Sequence, residues 1–312
     1  MKFLFILPLL LSFTNGPVGT KKDLIDLEIL YGRDDRLDVD KYEDQRFVDF
    51  SNSVAGMVAS YKLKKNNQGN YNIRNTPLVY QNFCEDVPFV NQNTLPKCTG
   101  FLVAPNILIT AGHCVDSKYE CENNNWVFNY KESKTEISAS NVYKCEEILV
   151  SKNIKSFGVV QDYAILKLNK NVSGYRPLKL RQKGRVKLGT ELVVIGHPLG
   201  LPMKIADNGQ VVPFSIVNFT NPLHFYKISK NTFLTNLDTF VGNSGSPVFN
   251  KKSGEVEGLL IQGGEDFIET DEGCISNYKS KSKTFLAEER VFRINKIKEL
   301  KSILKSDSKK SE

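Results

Sequence analysis

Apolar and polar residues alternate over short stretches along most of this chain, and turn-forming residues separate the stretches. Between residues 163 and 168, for example, Ala164, Leu166 and Leu168 fall on one face, as they do in a half-buried strand. Comparable stretches occur at 54–63, 101–104, 107–110, 126–130, 191–196, 210–217, 233–237, 246–250 and 256–262. The pattern predicts an all-β fold of many short strands.

Only the C-terminal part departs from this pattern. Val291, Ile294, Ile297, Leu300 and Leu304 recur at helical intervals, and no Gly or Pro interrupts them. The spacing predicts one terminal α-helix over residues 285–304, followed by a frayed tail at 305–312.

The N-terminus has the pattern of an export signal. Lys2 precedes an apolar run from Phe3 to Leu11, and small or turn-forming residues follow it. Because the run is too short to span a bilayer, it predicts a removable signal peptide at 1–19, the alternative being a short hydrophobic strand. The protein is therefore expected to be secreted or periplasmic. No other segment is long enough to cross a membrane, so we expect no membrane span.

Composition narrows the functional classes. The 312 residues, 40% of them hydrophobic, allow one large β domain or two small ones with a real core. The formal net charge of +7 is modest for this length, and no basic block carries interleaved aromatics. We therefore expect no nucleic acid partner. Nothing in the sequence calls for a cofactor, and a monomer is expected.

Six cysteines in an exported chain indicate disulfides. A metal site is not expected, because the sequence has neither a CxxC pair nor a histidine cluster. Cys84, Cys121, Cys145 and Cys274 allow three pairings among themselves, and the sequence does not select one. Cys121 with Cys145 is the first expectation, since it closes a local strand–loop–strand segment, and it leaves Cys84 with Cys274.

Three short blocks carry candidate chemistry, in the order His, Asp, Ser. They are Leu108–Cys114 around His113, Asp162–Leu168 led by Asp162, and Gly242–Val248 around Ser244. A hydroxyl that attacks an amide carbonyl needs a base, a carboxylate to orient that base, and amide donors for the oxyanion. The blocks supply one candidate for each role. Taken singly, each residue has a plainer interpretation: a packed histidine, a loop aspartate and a Gly/Ser surface turn.

Together the blocks resemble the active-site segments of chymotrypsin-fold serine proteases, and most closely the bacterial branch that includes the glutamyl endopeptidases. The resemblance covers roughly residues 30 to 290. It implies two antiparallel β-barrels within a protease domain at 51–304, the first at about 51–170 and the second at about 178–284. It also implies a His113–Asp162–Ser244 triad with an oxyanion hole formed by the amides of Gly242 and Ser244.

The resemblance carries further implications. A Cys98–Cys114 disulfide would fix the histidine loop. Asn243 stands where trypsins have Asp, so the ion pair that activates trypsins cannot form here. Leu30–Arg36 is similar to a block near the mature start of glutamyl endopeptidases, so residues 20–50 are either a mature N-terminal arm or an acidic pro-segment of a zymogen. His197 lies in a turn that is structural in the resembled proteins, and His224 has no supporting context.

Specificity rests on two observations. Asp238 lies six residues before Ser244, the offset of the acidic residue in the primary pocket of trypsins, which predicts cleavage after Arg or Lys. The histidine that glutamyl endopeptidases use would fall at Ile261 or Gln262 and is missing. Gln262, Gly263 and Gly264 are expected to pair with the backbone of a polypeptide substrate.

The sequence therefore predicts an exported serine endopeptidase acting through an acyl-enzyme. The alternative is a catalytically inactive homologue that binds a partner through the same cleft.

Overall fold

The computed structural model describes residues 30–31, 34–74, 76–156, 159–213, 229–263, 267–277, 279–280 and 289–308. The predicted signal peptide at 1–19, His224, Gly264 and the last four residues lie outside these ranges. Within them, no helix is both long and apolar enough to cross a bilayer.

The described strands and α-helices follow one another along the chain in this order: β1 (Leu30–Tyr31), β2 (Arg36–Asp38), α1 (Gln45–Ser51), β3 (Val54–Ala59), β4 (Lys64–Lys65), β5 (Tyr71–Asn72), β6 (Cys98–Ala104), β7 (Ile107–Thr110), α2 (Lys118–Asn123), β8 (Asn124–Phe128), β9 (Glu136–Ile137), β10 (Val142–Ser156), β11 (Val159–Leu168), β12 (Glu191–Gly196), β13 (Lys204–Val212), β14 (Thr232–Thr235), β15 (Pro247–Asn250), β16 (Val256–Gln262), β17 (Phe267–Glu269), β18 (Ile275–Asn277), β19 (Lys279–Ser280), β20 (Glu289–Arg293) and α3 (Leu300–Ser308).

The N-terminal half forms a closed barrel of six antiparallel strands, in the order β10, β11, β7, β6, β3 and β8. All residues of β6 and β7 are buried, which explains why these two strands are nearly continuous apolar runs. Phe101, Leu108, Trp126 and Leu166 are at most 1% exposed and fill the interior.

The C-terminal half forms a second ring. Its strands follow the order β12, β15, β16, β20, β14 and β13, and a pairing between β13 and β12 closes the ring. Strand β2 from the N-terminal arm is added to β13. The prediction of two antiparallel β-barrels is therefore confirmed.

The predicted terminal helix is wrong over Glu289–Arg293, and its first residues, 285–288, lie outside the described ranges. Residues Glu289–Arg293 form strand β20, which pairs with β14 and β16 and supplies Val291 to the core of the second barrel. This barrel therefore extends beyond residue 284. The helix α3 begins only at Leu300 and runs into the predicted tail, to Ser308. Strand pairing outweighs the helical spacing because it buries Val291 and Phe292 completely.

The N-terminal arm is built into the domain from β2 through α1. Phe47 of α1 is fully buried and lies edge-on to Phe249, with ring centroids 5.7 Å apart. Asp38 of β2 forms a buried ion pair with Lys204 of β13. The arm thus contacts the same barrel that carries the Ser244 block.

Candidate active site

His113 lies in a single turn of 3-10 helix, Gly112–Cys114, directly after β7. Its Nδ1 is 2.8 Å from Oδ2 of Asp162, and its backbone N–H donates to Oδ1 of the same carboxylate at 3.0 Å. The imidazole itself is 30% exposed, whereas Asp162 is fully buried. One carboxylate thus holds both the ring and the backbone of His113, which fixes the orientation that a general base needs.

Gly112 allows this close approach. A Cβ at this position would lie 2.0 Å from the carbonyl oxygen of Lys152 on β10. The turn can therefore lie against the β10–β11 hairpin only because residue 112 has no side chain.

Asp162 remains ionised although it is buried. Burial raises the pKa of its carboxyl, but the hydrogen bonds and charge from His113, together with the Lys155 charge, outweigh burial and hold the pKa below its usual value. The Nζ of Lys155 lies 3.3 Å from Oδ2. The sequence does not indicate Lys155 as a partner, because only the pairing of β10 with β11 brings it beside Asp162.

Ser244 occupies a tight loop shaped by two glycines. Gly242 and Gly245 have φ values of 99° and 87°, in the left-handed region that favours glycine. A Cβ on Gly245 would lie 2.1 Å from the carbonyl oxygen of Thr99, and one on Gly242 would lie 2.4 Å from that of His197. Both glycines are therefore required for this loop to approach its neighbours so closely.

Two backbone amides of this loop have no acceptor. In the part of the chain that the structure describes, the N–H groups of Gly242 and Ser244 donate to no other protein group, whereas those of Asn243 and Gly245 bind the carbonyls of Phe240 and Leu260. Two free amides with a single residue between them can bind the same anionic oxygen. Asn243 is buried, and its Oδ1 accepts from the hydroxyl of Ser246 at 3.3 Å.

The loop is fixed to the barrel that carries His113. The backbone N–H of Thr99 donates to the carbonyl of Ser244 at 2.9 Å, and Sγ of Cys114 lies 3.8 Å from the same oxygen. Ser244 therefore lies where the two barrels meet, against the residue that follows His113. Among the described residues, no hydrogen bond joins the hydroxyl of Ser244 to Nε2 of His113, and the assembly of the three residues into a triad stays a prediction.

The three disulfides join Cys98 to Cys114, Cys121 to Cys145, and Cys84 to Cys274. These pairings coincide with those expected first from the sequence. Cys98, His113 and Cys114 also place their ligand atoms within 4.8 Å of one another. Because the two sulfurs are bonded to each other, they offer no thiolates to a metal ion.

Removing the Cys98–Cys114 bridge should destabilise the protein. We expect the double substitution Cys98→Ala/Cys114→Ala to lower the free energy of unfolding by about 3 kcal/mol, because the unfolded chain regains the freedom of a loop of this length. The two cysteines are 16 residues apart and at most 7% exposed. Urea unfolding measures the loss. Peptide mapping without reductant that finds both thiols free in the wild-type protein would contradict the bridge itself.

Asp238 is 3% exposed, and its Oδ2 accepts a hydrogen bond at 2.9 Å from the backbone N–H of Asp35 in the N-terminal arm. The neighbouring Arg36 is also buried; it is held by Asp34 and stacks over Phe240, 4.0 Å from the ring centroid. This contact between the arm and the segment before Ser244 has no signal in the sequence.

The remaining predicted residues are readily located. Gln262 ends β16, where it pairs with Arg290 of β20, and Gly263 follows it. His197 is completely buried, and its Nδ1 lies 3.0 Å from the carbonyl oxygen of Leu201. Burial lowers the pKa of His197 to about 4, so the ring is neutral at pH 7. This environment suits the structural role predicted for His197.

Comparison with known proteins agrees with this geometry. A family model described as "Trypsin-like peptidase domain" matches residues 98–259. Secreted RxLR effector protein 73 of Plasmopara viticola is 32% identical over 174 residues, which cover 54% of this chain and 41% of that protein. Chymotrypsin-2 of Vespa crabro is 27% identical over 123 residues, which cover 38% of this chain and 55% of that protein. The chain thus spans less than two thirds of these relatives.

Among solved structures, one titled "Structure of Glu endopeptidase in complex with MPD" aligns with a TM-score of 0.51 at 17% identity. The alignment covers 90% of this chain and 100% of that one, and it supports the chymotrypsin-type fold. With the double barrel and the matched domain model in agreement, the chain belongs to the family of trypsin-like peptidases.

Proposed function

We propose that this protein is a serine endopeptidase in which His113, Asp162 and Ser244 form the catalytic triad. The observation that carries the proposal is that Asp162 makes two hydrogen bonds with His113, one to the ring and one to the backbone, directly beside the loop of Ser244. Family membership supports the same activity.

In the proposed reaction, the hydroxyl of Ser244 attacks the carbonyl carbon of the scissile peptide while Nε2 of His113 takes its proton. The amides of Gly242 and Ser244 bind the resulting oxyanion. His113 then gives the proton to the departing amine as the C–N bond breaks, which leaves an acyl-enzyme. Water then attacks the acyl carbon while Nε2 of His113 takes its proton. The bond between this carbon and the oxygen of Ser244 breaks, the carboxylic acid product leaves, and His113 returns the proton to Ser244.

A fluorophosphonate probe tests the proposal directly, because it reacts only with an activated serine. We expect the wild-type protein to be labelled at Ser244 and the Ser244→Ala variant to remain unlabelled. A wild-type protein that stays unlabelled while it binds peptides would instead support the alternative, an inactive homologue that acts as a binding protein.

We extend the proposal to the primary pocket, where Asp238 would confer a preference for Arg or Lys. The carboxylate of Asp238 accepts a hydrogen bond from the backbone N–H of Asp35, a donor that carries no charge. Asp238→Asn keeps an acceptor for that amide but removes the charge. We expect kcat/KM for Arg substrates to fall by an amount equivalent to about 2 kcal/mol or more, as when one partner of a buried charged pair is removed. For substrates with a small apolar residue before the scissile bond, kcat/KM should change little. A peptide-library profile dominated by Glu or by aliphatic residues would contradict this role.

We also propose that the protein is exported and that its substrates are polypeptides. Three disulfides within the described residues are typical of oxidising compartments. The burial of Phe47 in α1 supports the proposal that the arm stays with the mature enzyme, so that any processing occurs before it. Mass spectrometry of the N-terminus of the secreted protein measures where processing ends.

A further inference from the structure

Two adjoining cavities lie on the first barrel. Their volumes are about 250 Å³ and about 370 Å³, and Lys62 and Leu95 line both. Lys97 and Tyr119 belong to the first cavity, and Arg74 to the second. We call the two together the basic groove.

All the charged side chains that line the groove are positive. Lys62, Arg74 and Lys97 line it, and no Asp or Glu lines either cavity in the described part of the chain. Lys97 has a partner outside the walls, Glu120, at 2.6 Å. Within the same ranges, no carboxylate forms an ion pair with Lys62 or Arg74.

The environment of Lys62 gives the strongest argument for anion binding in the groove. The side chain of Lys62 is partly buried, and among the described residues its ammonium donates only to the carbonyl of Leu95, at 3.3 Å. Burial, followed by the positive charges of Lys97 and Arg74, lowers the pKa of Lys62. A partly buried cation without a counter-charge is unfavourable, and an anion in the groove would relieve both the desolvation and the repulsion.

The walls of the groove also carry exposed aromatic side chains. Tyr61, Tyr80 and Tyr119 are 73%, 72% and 68% exposed. Tyrosines offer a large contact area at low entropic cost and are enriched where proteins bind peptides. Cations set among exposed tyrosines match an acidic polypeptide better than they match a small anion.

The position of the groove sets where on a substrate such a segment would lie. Lys97 is two residues before Thr99, whose amide donates to the carbonyl of Ser244. The end of β16, where the acyl part of the substrate is expected, contacts the other side of the nucleophile loop through the Gly245–Leu260 hydrogen bond. The groove therefore lies on the leaving-group side.

We propose that the basic groove binds an acidic stretch of the polypeptide substrate on the leaving-group side of the scissile bond. This inference deepens the proposed function and depends on it for the identity of the bound molecule. Binding itself can be measured without catalysis.

The first experiment measures binding to the full-length Ser244→Ala variant by fluorescence anisotropy. The probes are an eight-residue fluorescent peptide of alternating Asp and Glu and its counterpart of Asn and Gln. We expect the acidic peptide to bind about tenfold or more tightly, as for two partly exposed ion pairs, and its affinity to fall as salt rises. Adding Lys62→Gln and Arg74→Gln should abolish the difference, whereas adding Lys187→Gln, an exposed lysine outside the groove, should preserve it. If the double variant does not fold, the same comparison is made with Arg74→Gln alone, which should reduce the difference in affinity.

The second experiment compares kcat/KM for two peptides with the same cleavage site, followed by either the acidic or the neutral extension. We expect the acidic peptide to be favoured about tenfold, mainly through KM, and this ratio to fall towards one in the double variant. A short p-nitroanilide, which has no residues on the leaving-group side, should be hydrolysed equally by both proteins.

The outcomes separate the two proposals. Equal binding of the acidic and neutral peptides would overturn the groove proposal, and so would binding of a heparin fragment without binding of the acidic peptide. If no peptide is cleaved but the acidic peptide still binds through Lys62 and Arg74, the proposed enzymatic function fails and the groove is upheld.

Discussion

Replacing Ser244 with alanine is expected to lower kcat for a cleavable peptide by roughly 10⁶-fold. The hydroxyl is the only group in the proposed mechanism that bonds to the substrate carbonyl, so neither His113 nor the free amides of the loop can replace it. The backbone of the loop should persist, because its shape depends on Gly242 and Gly245 and on hydrogen bonds that the side chain of Ser244 does not make. Steady-state kinetics with the purified full chain measures the loss.

Ser246 offers a matched control in the same loop. Its hydroxyl donates to Oδ1 of Asn243 and takes no part in the proposed chemistry. We expect Ser246→Ala to keep fluorophosphonate labelling and most of its activity. An alanine variant at Ser244 as active as the wild type, or loss of labelling in Ser246→Ala with Ser244 intact, would refute the assignment of the nucleophile.

Local patterns in the sequence predicted the strands that surround this site. The stretch Ile107–Thr110 forms β7 with the predicted bounds, and the alternation from Tyr163 to Leu168 lies within β11. Such predictions succeed because a strand alternates its faces every two residues, which a short window of sequence displays. Glycines 242 and 245 were predictable in the same way, since a loop this tight requires left-handed backbone.

Features that depend on distant partners could not be predicted. The segment Glu289–Arg293 has helical spacing, yet it becomes a strand because β14 and β16 flank it. Lys155 reaches Asp162 only through the register of a long hairpin. The hydrogen bond from Asp35 to Asp238 joins residues 203 positions apart, and no local pattern pairs the two. In each case the outcome is decided by pairing with a distant part of the chain and not by local propensity.

Replacing Asp162 with asparagine should lower kcat by about 10⁴-fold while the protein stays folded. The carboxylate now accepts from Nδ1 of His113 through one oxygen and from the backbone of His113 through the other. An asparagine has one oxygen and one NH₂ group, so neither orientation of its amide replaces both contacts. If the NH₂ faces Nδ1, the imidazole must carry its proton on Nε2 and cannot accept the proton of Ser244.

If the oxygen faces Nδ1 instead, it also stays near Lys155, which favours this orientation, but the NH₂ then opposes the backbone N–H of His113. The useful tautomer survives, but the negative charge that stabilises the imidazolium in the transition state is lost. Both orientations therefore slow the reaction, and kcat at saturating peptide measures by how much. The Asp162→Asn variant should keep its thermal unfolding transition. A kcat within tenfold of the wild type would mean that Asp162 does not support His113 in catalysis.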